Sequence, residues 1–270
     1  MQSLSNFAFF QVFCFQLPTA YWYLHKKRMS FRSNVQLFNN YYLEKKKNNQ
    51  INDFVNRLLP QHIQKLILNP GLKNSKIYKN ITMIFADISG FTKYSSGKKP
   101  KEVVFMLSKL FTKFDKECDA LKLFKLYTIG DCYVAIGNLK QKPGCEFSAA
   151  KKVVTFGMKM IDIIRNVRKE IQFGGLEMRI GVHTGNVIGG LIGTDMIRFD
   201  IYGQDVIVAN KMESKGTIGK INVSEQSKRL LERYHEFSYE YNKNIVVGEQ
   251  EVKTYFVTKR NFANVWNNIG

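Results

Sequence analysis

Two acids stand out by where they fall. The stretch "ITMIFADISGFTKYSS" (Ile81–Ser96) is an apolar run that carries one carboxylate, Asp87, at its far end and then breaks into a turn with Gly and hydroxyls. The stretch "LFKLYTIGDCYVAIGN" sets a second acid, Asp131, beside Gly130 in a turn between two short apolar runs. Two carboxylates brought together repel unless a cation lies between them. One or two hard carboxylate ligands suit Mg²⁺, which keeps waters and takes its other ligands from substrate phosphates. Two such ions carry out phosphoryl transfer. The loop Ser89-Gly90-Phe91-Thr92 fits that chemistry, because Gly permits close backbone approach and successive N–H groups near a helix start bind phosphate. Singly, each acid has a plainer reading: Asp87 caps a turn and Asp131 fills a hairpin position that favours Asp. Their joint placement favours the metal reading.

That placement depends on the elements around the acids. "ITMIFADI" is a β-type run of a buried strand. "KPKEVVFMLSKLFTKFDKECDAL" has helical spacing, with Val103, Val104, Leu107, Leu110, Phe111 and Phe114 on one face. "LFKLYTIGDCYVAIGN" reads as two short strands around Ile129-Gly130-Asp131. "CEFSAAKKVVTFGMKMIDIIRNVRKE" is a long amphipathic helix, and "LEMRIGVHTGNVIGGLIG" reads as two strands around Thr184-Gly185-Asn186. "QDVIVANKMES" is helical, "KINVS" a strand, "EQSKRLLERY" a helix and "VKTYFVTKR" a final strand. The order β-α-β-β-α-β is the split βαβ pattern, so the expected class is α+β: a ferredoxin-like sheet with helices on one face, preceded by N-terminal helices. In that sheet the first and third strands of the motif are central neighbours, and the tips carrying Asp87 and Asp131 meet.

At this point the residues resemble a family. "FADISGFTKYSS", "LYTIGDCYVAIGNL", "EMRIGVHTGNVIGGLIG" and "FDIYGQDVIVANKMESKGTIGKINVS" are similar to the catalytic domain of class III nucleotidyl cyclases, the adenylyl and guanylyl cyclases. The resemblance covers about residues 51–260, and "VNRLLPQHI" resembles the helix that leads into such a domain. It implies conversion of ATP or GTP to a 3′,5′-cyclic nucleotide plus pyrophosphate, at sites formed between two domains placed head to tail. By the resemblance Asp87 and Asp131 hold two Mg²⁺ (or Mn²⁺) ions, with the Ile88 backbone carbonyl completing the metal site. Ser89, Gly90, Phe91, Thr92 and Gly130 lie against the nucleotide phosphates. One ion would lower the pKa of the ribose 3′-hydroxyl and the other neutralise the leaving pyrophosphate.

The complementary set departs from the family pattern. The family's ribose-binding Asn falls on Ile207, and its phosphate-binding Arg on Lys211, which keeps the charge but loses the planar fork. The base-reading positions are Tyr127 and Asp200, the second as in adenylyl cyclases. Lys253 matches a phosphate-contacting Lys. The Arg expected between Gly193 and Phe199 is Asp195, with Arg198 nearby. The chain therefore resembles the metal-bearing half of a site completed by a second cyclase domain, closest to the first catalytic half of membrane adenylyl cyclases and to protist guanylyl cyclases. The alternative is a catalytically silent cyclase-fold subunit that acts in regulation or scaffolding.

The rest of the chain bounds location and partners. The formal net charge is +19, and residues 1–80 carry 12 Lys/Arg against 2 Asp/Glu. No aromatic-basic motif of the recognised nucleic-acid modules accompanies this charge, so the expectation is an anionic membrane surface and no nucleic acid. Phe7 to Leu24 is uncharged, ends in Tyr21-Trp22-Tyr23, and is followed by His25-Lys26-Lys27-Arg28. Apolar span, aromatic belt and cationic stop together read as a candidate membrane helix leaving the cytoplasmic face, with a docking segment as the alternative. The expected organisation is 1–29 membrane helix or docking segment, 30–76 basic linker and lead-in helices, 77–262 catalytic domain and 263–270 tail. The expected location is membrane-associated, with the catalytic domain cytoplasmic. Cys14, Cys118, Cys132 and Cys145 have no metal-type spacing and are too few for a disulfide scaffold. His183 reads as a structural strand residue and Cys132 as a packed thiol.

Overall fold

The structure, a computed structural model, describes residues 26–29, 36–51, 75–193 and 198–260. The chain divides into two compact units, Met1–Gln61 and His62–Gly270. In the first, 36–51 is helical with exposed side chains. The apolar stretch 7–24 and most of the lead-in helices lie outside the described residues. Among those that are described, no helix is long and apolar enough to cross a membrane.

The second unit is built on a mixed sheet of eight strands, β1 (Ser75–Ser89), β2 (Phe124–Ile129), β3 (Cys132–Gly137), β4 (Glu177–Ile192), β5 (Arg198–Tyr202), β6 (Ile221–Ser224), β7 (Phe237–Val247) and β8 (Gln250–Lys259), in the order β2-β3-β1-β4-β6-β8-β7, with β5 paired to β4. Strand β1 (Ser75–Ser89) and β3 (Cys132–Gly137) are antiparallel neighbours, with Ala86 opposite Tyr133. On its other side β1 pairs with β4 (Glu177–Ile192), with Asp87 opposite Arg179. The order β2-β3-β1-β4 is the ferredoxin-like arrangement expected from the element order.

Helix α1 (Phe91–Ser96) follows β1 directly, and α2 (Pro100–Ala120) begins with Pro in its first turn. The Glu102 side chain accepts the Lys99 backbone N–H at 3.1 Å and caps α2. Met106, Leu110, Phe114 and Cys118 form the buried stripe of α2 at four-residue spacing. Helix α3 (Cys145–Glu170) buries Ala150, Val153, Val154, Phe156, Met160, Ile161 and Ile164 against the same sheet face. A Phe or Leu buried there contributes about 1.5–3 kcal/mol. Strand β2 (Phe124–Ile129) joins β3, β5 (Arg198–Tyr202) joins β4, and β6 (Ile221–Ser224) runs parallel to β4. Helix α5 (Glu225–Leu231) precedes the long hairpin of β7 (Phe237–Val247) and β8 (Gln250–Lys259).

Two expectations change in detail. The segment Glu177–Ile192 is one continuous strand rather than two around Thr184-Gly185-Asn186; the hairpin partner is β5. Gly185 is not a turn residue. A Cβ there would fall 2.2 Å from the Asp205 carboxylate carbon, so glycine is required by close approach. Helix α4 (Gln204–Ser214) packs on the sheet face opposite α3, so the second face also carries a helix. Period-2 alternation in β4 makes this possible. Met178, Ile180 and Val182 enter the α3 core, whereas Arg179, Gly181, His183 and Gly185 alternate with them and meet α4. A Cβ on Gly181 would lie 2.0 Å from the Glu213 backbone nitrogen.

Candidate functional site

The end of β1 and the β2–β3 turn form one end of the sheet. Ile129 pairs with Cys132, leaving Gly130-Asp131 as a two-residue loop, and Gly130 adopts φ 60° as such a loop requires. Asp87 stands one step beyond the Ala86–Tyr133 pair, toward that loop. Asp131 is raised above the ordinary carboxyl range, first by burial and then by the charge of Asp87. The two acids therefore act on each other electrostatically.

The loop after Asp87 is fixed by one glycine. Gly90 has φ 84° and caps α1, and a Cβ there would lie 2.2 Å from the Gly175 carbonyl oxygen. Any side chain would be excluded by both sterics and backbone conformation. Ser89 closes β1, while Phe91 and Thr92 begin α1, with Phe91 packed against the helix-side core. The Ile88 side chain is buried in that core.

Arg179 and Glu213 were not singled out from sequence. The Arg179 guanidinium donates through Nη2 to Asp87 Oδ2 at 3.1 Å and through Nε to Glu213 Oε1 at 2.5 Å. Glu213 is raised by burial first and by the Asp87 and Asp131 charges, with Arg179 offsetting part of this. For Arg179, burial opposes the charge, but Glu213, Asp87 and Asp131 more than compensate and hold the group protonated. A charged residue at an inward position of an apolar strand, with an acid on the buried side of a facing helix, was the available signal.

At the other end of α4, His183 Nε2 bonds Asp205 Oδ1 at 3.1 Å, and its Nδ1 bonds Ser224 Oγ at 2.7 Å. Asp205 Oδ2 accepts the Asn186 backbone N–H at 2.6 Å. The His183 bond leads in holding Asp205 below the usual carboxylate range. Ser224 is fully buried, so this Ser-His-Asp chain is a clamp between β4, β6 and α4 and not a nucleophile. Cys132 is pushed up to about 12, chiefly by burial, and is a packed protonated thiol.

Tyr127, Ile207 and Lys211 come together, with Phe85, Val206 and Asn210, around an open pocket of about 310 Å³ on the α4 side. Phe85, Val206 and Asn210 were not anticipated; Phe85 was masked by its place in an apolar run. Lys211 also borders a groove of about 400 Å³ with Lys215, Lys243 and Asn244. Lys253 is exposed and pairs in register with Asn244. Asp200 is buried and already engaged: Oδ2 accepts from Arg198 at 2.9 Å and from Tyr202 Oη at 3.3 Å, and Oδ1 from the Ile201 N–H at 2.8 Å. It is therefore not an open base-reading acid here. Tyr127 is raised by burial and by the nearby charge of Asp200. Asp195 lies outside the described residues.

Among the described residues no group of three or more His, Cys, Asp or Glu side chains is arranged to hold a metal ion. Two carboxylates at one end of the sheet are hard oxygen donors, the type that suits a divalent ion drawing its other ligands from water and phosphate.

Residues 73–259 match the adenylate and guanylate cyclase catalytic domain, and the chain belongs to that family. Guanylate cyclase alpha of Plasmodium falciparum is 37% identical over 221 residues, covering 80% of this chain and 5% of that protein. Guanylate cyclase soluble subunit alpha-1 of Canis lupus familiaris is 34% identical over 189 residues, covering 70% of this chain and 27% of that protein. The chain thus spans a small part of the length of these relatives. The guanylate cyclase domain of RhGC from Catenaria anguillulae, solved with GTP, superposes with a TM-score of 0.61 at 27% identity, covering 69% of this chain and all of that one. The catalytic core of a rhodopsin-guanylyl cyclase with converted specificity, solved with ATPalphaS, gives the same TM-score and identity over 70% of this chain.

Proposed function

We propose that this chain forms cyclic nucleotide from a purine nucleoside triphosphate, with pyrophosphate as the second product, and supplies the metal-binding half of a site completed by another cyclase domain. The observation that carries this reading is the strand register that sets Asp87, one step beyond the Ala86–Tyr133 pair, beside the Gly130-Asp131 loop at one end of the sheet. Asp87, Asp131 and the Ile88 carbonyl would hold two Mg²⁺ or Mn²⁺ ions. Such ions supply activation of the ribose 3′-hydroxyl and charge neutralisation of the pyrophosphate. The Ser89–Thr92 backbone and Gly130 would line the phosphates. The names of the relatives, guanylate cyclases, support GTP over ATP. The basic residues of 1–80 support placement beside an anionic membrane surface, with residues 77–262 as the catalytic domain on its cytoplasmic side.

The second reading, a silent subunit, has its own observation. The pocket lined by Phe85, Tyr127, Val206, Ile207, Asn210 and Lys211 has an isoleucine at the position that the resemblance assigns to the ribose-binding Asn. Cyclic nucleotide formation decides between them, measured with Mg²⁺ or Mn²⁺ and candidate partner domains carrying Asn and Arg at the positions of Ile207 and Lys211. Activity lost on Asp87→Ala supports the enzyme. Activity no higher than that control with every partner leaves the silent subunit.

A further inference from the structure

We infer that the start of α2, with the loop before it, is a lipid-contacting surface: Val104 and Phe105 enter the headgroup region of an anionic membrane, and Lys93, Lys98, Lys99 and Lys101 hold anionic headgroups around them. This rests on the placement beside an anionic membrane proposed above, but it lies in the catalytic domain and not in residues 1–80, and it needs neither metal acid.

Two local rules are broken here at once. The first is apolar exposure. Val104 is 65% and Phe105 64% exposed, while Val103, Met106, Leu107 and Leu110 beside them pack into the helix-side core. Val104, expected on the buried face, is instead exposed. Among the described helices of the second unit, Ile207 is the other large apolar side chain so exposed, and it lines the α4 pocket. Lys101, Val104, Phe105 and Ser108 follow one another at three- and four-residue steps, so they form one outward stripe.

The second rule concerns charge. The free N–H groups of a helix start favour acids, and its cap is most often Ser, Thr, Asp or Asn. Here Lys99 is the N-cap of α2, Lys98 precedes it and Lys101 lies in the first turn. Segment 91–109 holds five lysines and one acid. That acid, Glu102, accepts the Lys99 N–H and lies 3.7 Å from Lys98. Lys109 pairs with Glu170 at 2.5 Å and stands 6.0 Å from the centre of the Phe105 ring. Lys93, Lys99 and Lys101 are exposed and make no ion pair with any described residue. Cations left uncompensated at a helix start disfavour it unless an external anion faces them. An apolar pair ringed by lysines is the composition of an interfacial contact, with the rings and methyls at the acyl boundary and the ammonium groups at phosphate level. Protein interfaces are instead depleted in lysine and enriched in arginine, so a membrane fits this patch better than a protein partner.

The test uses the full chain with vesicles of phosphatidylcholine, with or without about 30% phosphatidylserine. A trace lipid with a photoactivated carbene group on its acyl chain labels the residues that enter the membrane, and peptide mass spectrometry locates the label. Segment 93–109 is expected to be labelled with phosphatidylserine and at least about tenfold less without it, because each lysine at an anionic surface acts on a scale of about fivefold. Lys98→Gln/Lys99→Gln/Lys101→Gln should lower the labelling by at least about tenfold, and Val104→Ser/Phe105→Ser by about fivefold. These side chains are exposed, so the melts should match the parent. If a variant does not melt cooperatively, salt raised to about 0.5 M on the parent takes its place and must lower the labelling of 93–109. Label confined to residues 1–80 overturns this contact and leaves the membrane placement standing, whereas no label anywhere removes both. Labelling of 93–109 that is unmoved by phosphatidylserine and by the lysine variant overturns it too. If 93–109 is unlabelled and Val104→Ser/Phe105→Ser converts a dimer to a monomer in sedimentation, the patch joins two copies of the chain and the lipid contact is overturned.

Discussion

The acid end of the sheet and the α4 pocket lie on the same face, yet they differ in chemistry. At the acid end every polar group bears on another: Asp131 on Asp87, Asp87 on Arg179, Arg179 on Glu213. In the pocket, Ile207 is about half exposed and lies beside Phe85 and Val206, while Asp200 is turned into its own strand by Arg198, Tyr202 and Ile201. Both ends are held by the same scaffold. Helix α4 is tied to β4 through Glu213–Arg179 at one end and Asp205–His183 at the other. The contrast is therefore not a loss of fold at one end. The frame is kept throughout, and only the groups that would touch substrate differ, which is why fold and activity have to be argued separately.

The comparison breaks most readily at the acid end. With a complementary partner, Asp87→Ala is expected to lower cyclic nucleotide formation at least about 100-fold, the scale on which electrostatic stabilisation of the transition state acts. The melting temperature should remain near that of the parent. A smaller loss would place the chemistry elsewhere.

The shared frame is tested next. Gly181→Ala sets a Cβ against the Glu213 backbone, 2.0 Å from its nitrogen. It should cost about 3 kcal/mol, read as a fall of roughly 6–12 °C in Tm. An unchanged melt would mean that α4 is not seated tightly on β4.

The pocket offers a gain. Ile207→Asn with Lys211→Arg restores a hydrogen-bonding group and a planar fork. Activity of the chain without a partner should rise about tenfold or more, as one or two hydrogen bonds to charged groups allow. No gain would show that the two ends are separated by more than these side chains.

The smallest effect is on stability. Asp131 is raised in the fold by burial and by Asp87. A carboxyl with a raised folded-state pKa contributes stability that is full below its unfolded value, 3.8, and is lost as pH rises through the folded value. Asp131→Asn should therefore raise Tm by a few degrees at pH 7 without divalent ions, with the difference shrinking as pH falls toward 4. Mn²⁺ should raise the Tm of the parent and not that of the variant. A lower Tm for Asp131→Asn at pH 7 would contradict the strain between the acids.

The scaffold was legible where one period ran unbroken. Helices α2 and α3 follow from their stripes, and β1 and the β2–β3 hairpin from apolar runs that flank a glycine turn. Strand β4 was misread at Gly185 because a turn glycine and a close-approach glycine look alike in sequence; only α4, arriving from 20 residues later in Asp205, distinguishes them. Strand β7, with "FSYEYNKNIVV", was missed because its exposed side carries Glu, Asn and Lys and shows no apolar run. Asp87 and Asp131 were legible from residue type and turn position. Arg179 and Glu213 were not, because each is an ordinary charged residue until the other faces it.

The sequence by itself determined the βαβ-βαβ order, because local periodicity and turn chemistry act between residues close in the chain, and its motifs carried the resemblance that pointed to the family and to the two acids. Only the tertiary structure decided that Asp87 shares its cation with Glu213, that Asp200 is occupied by its neighbours and that α4 covers the second face. Each of these depends on which side of a strand meets which side of a helix, and a one-residue step in register reverses it.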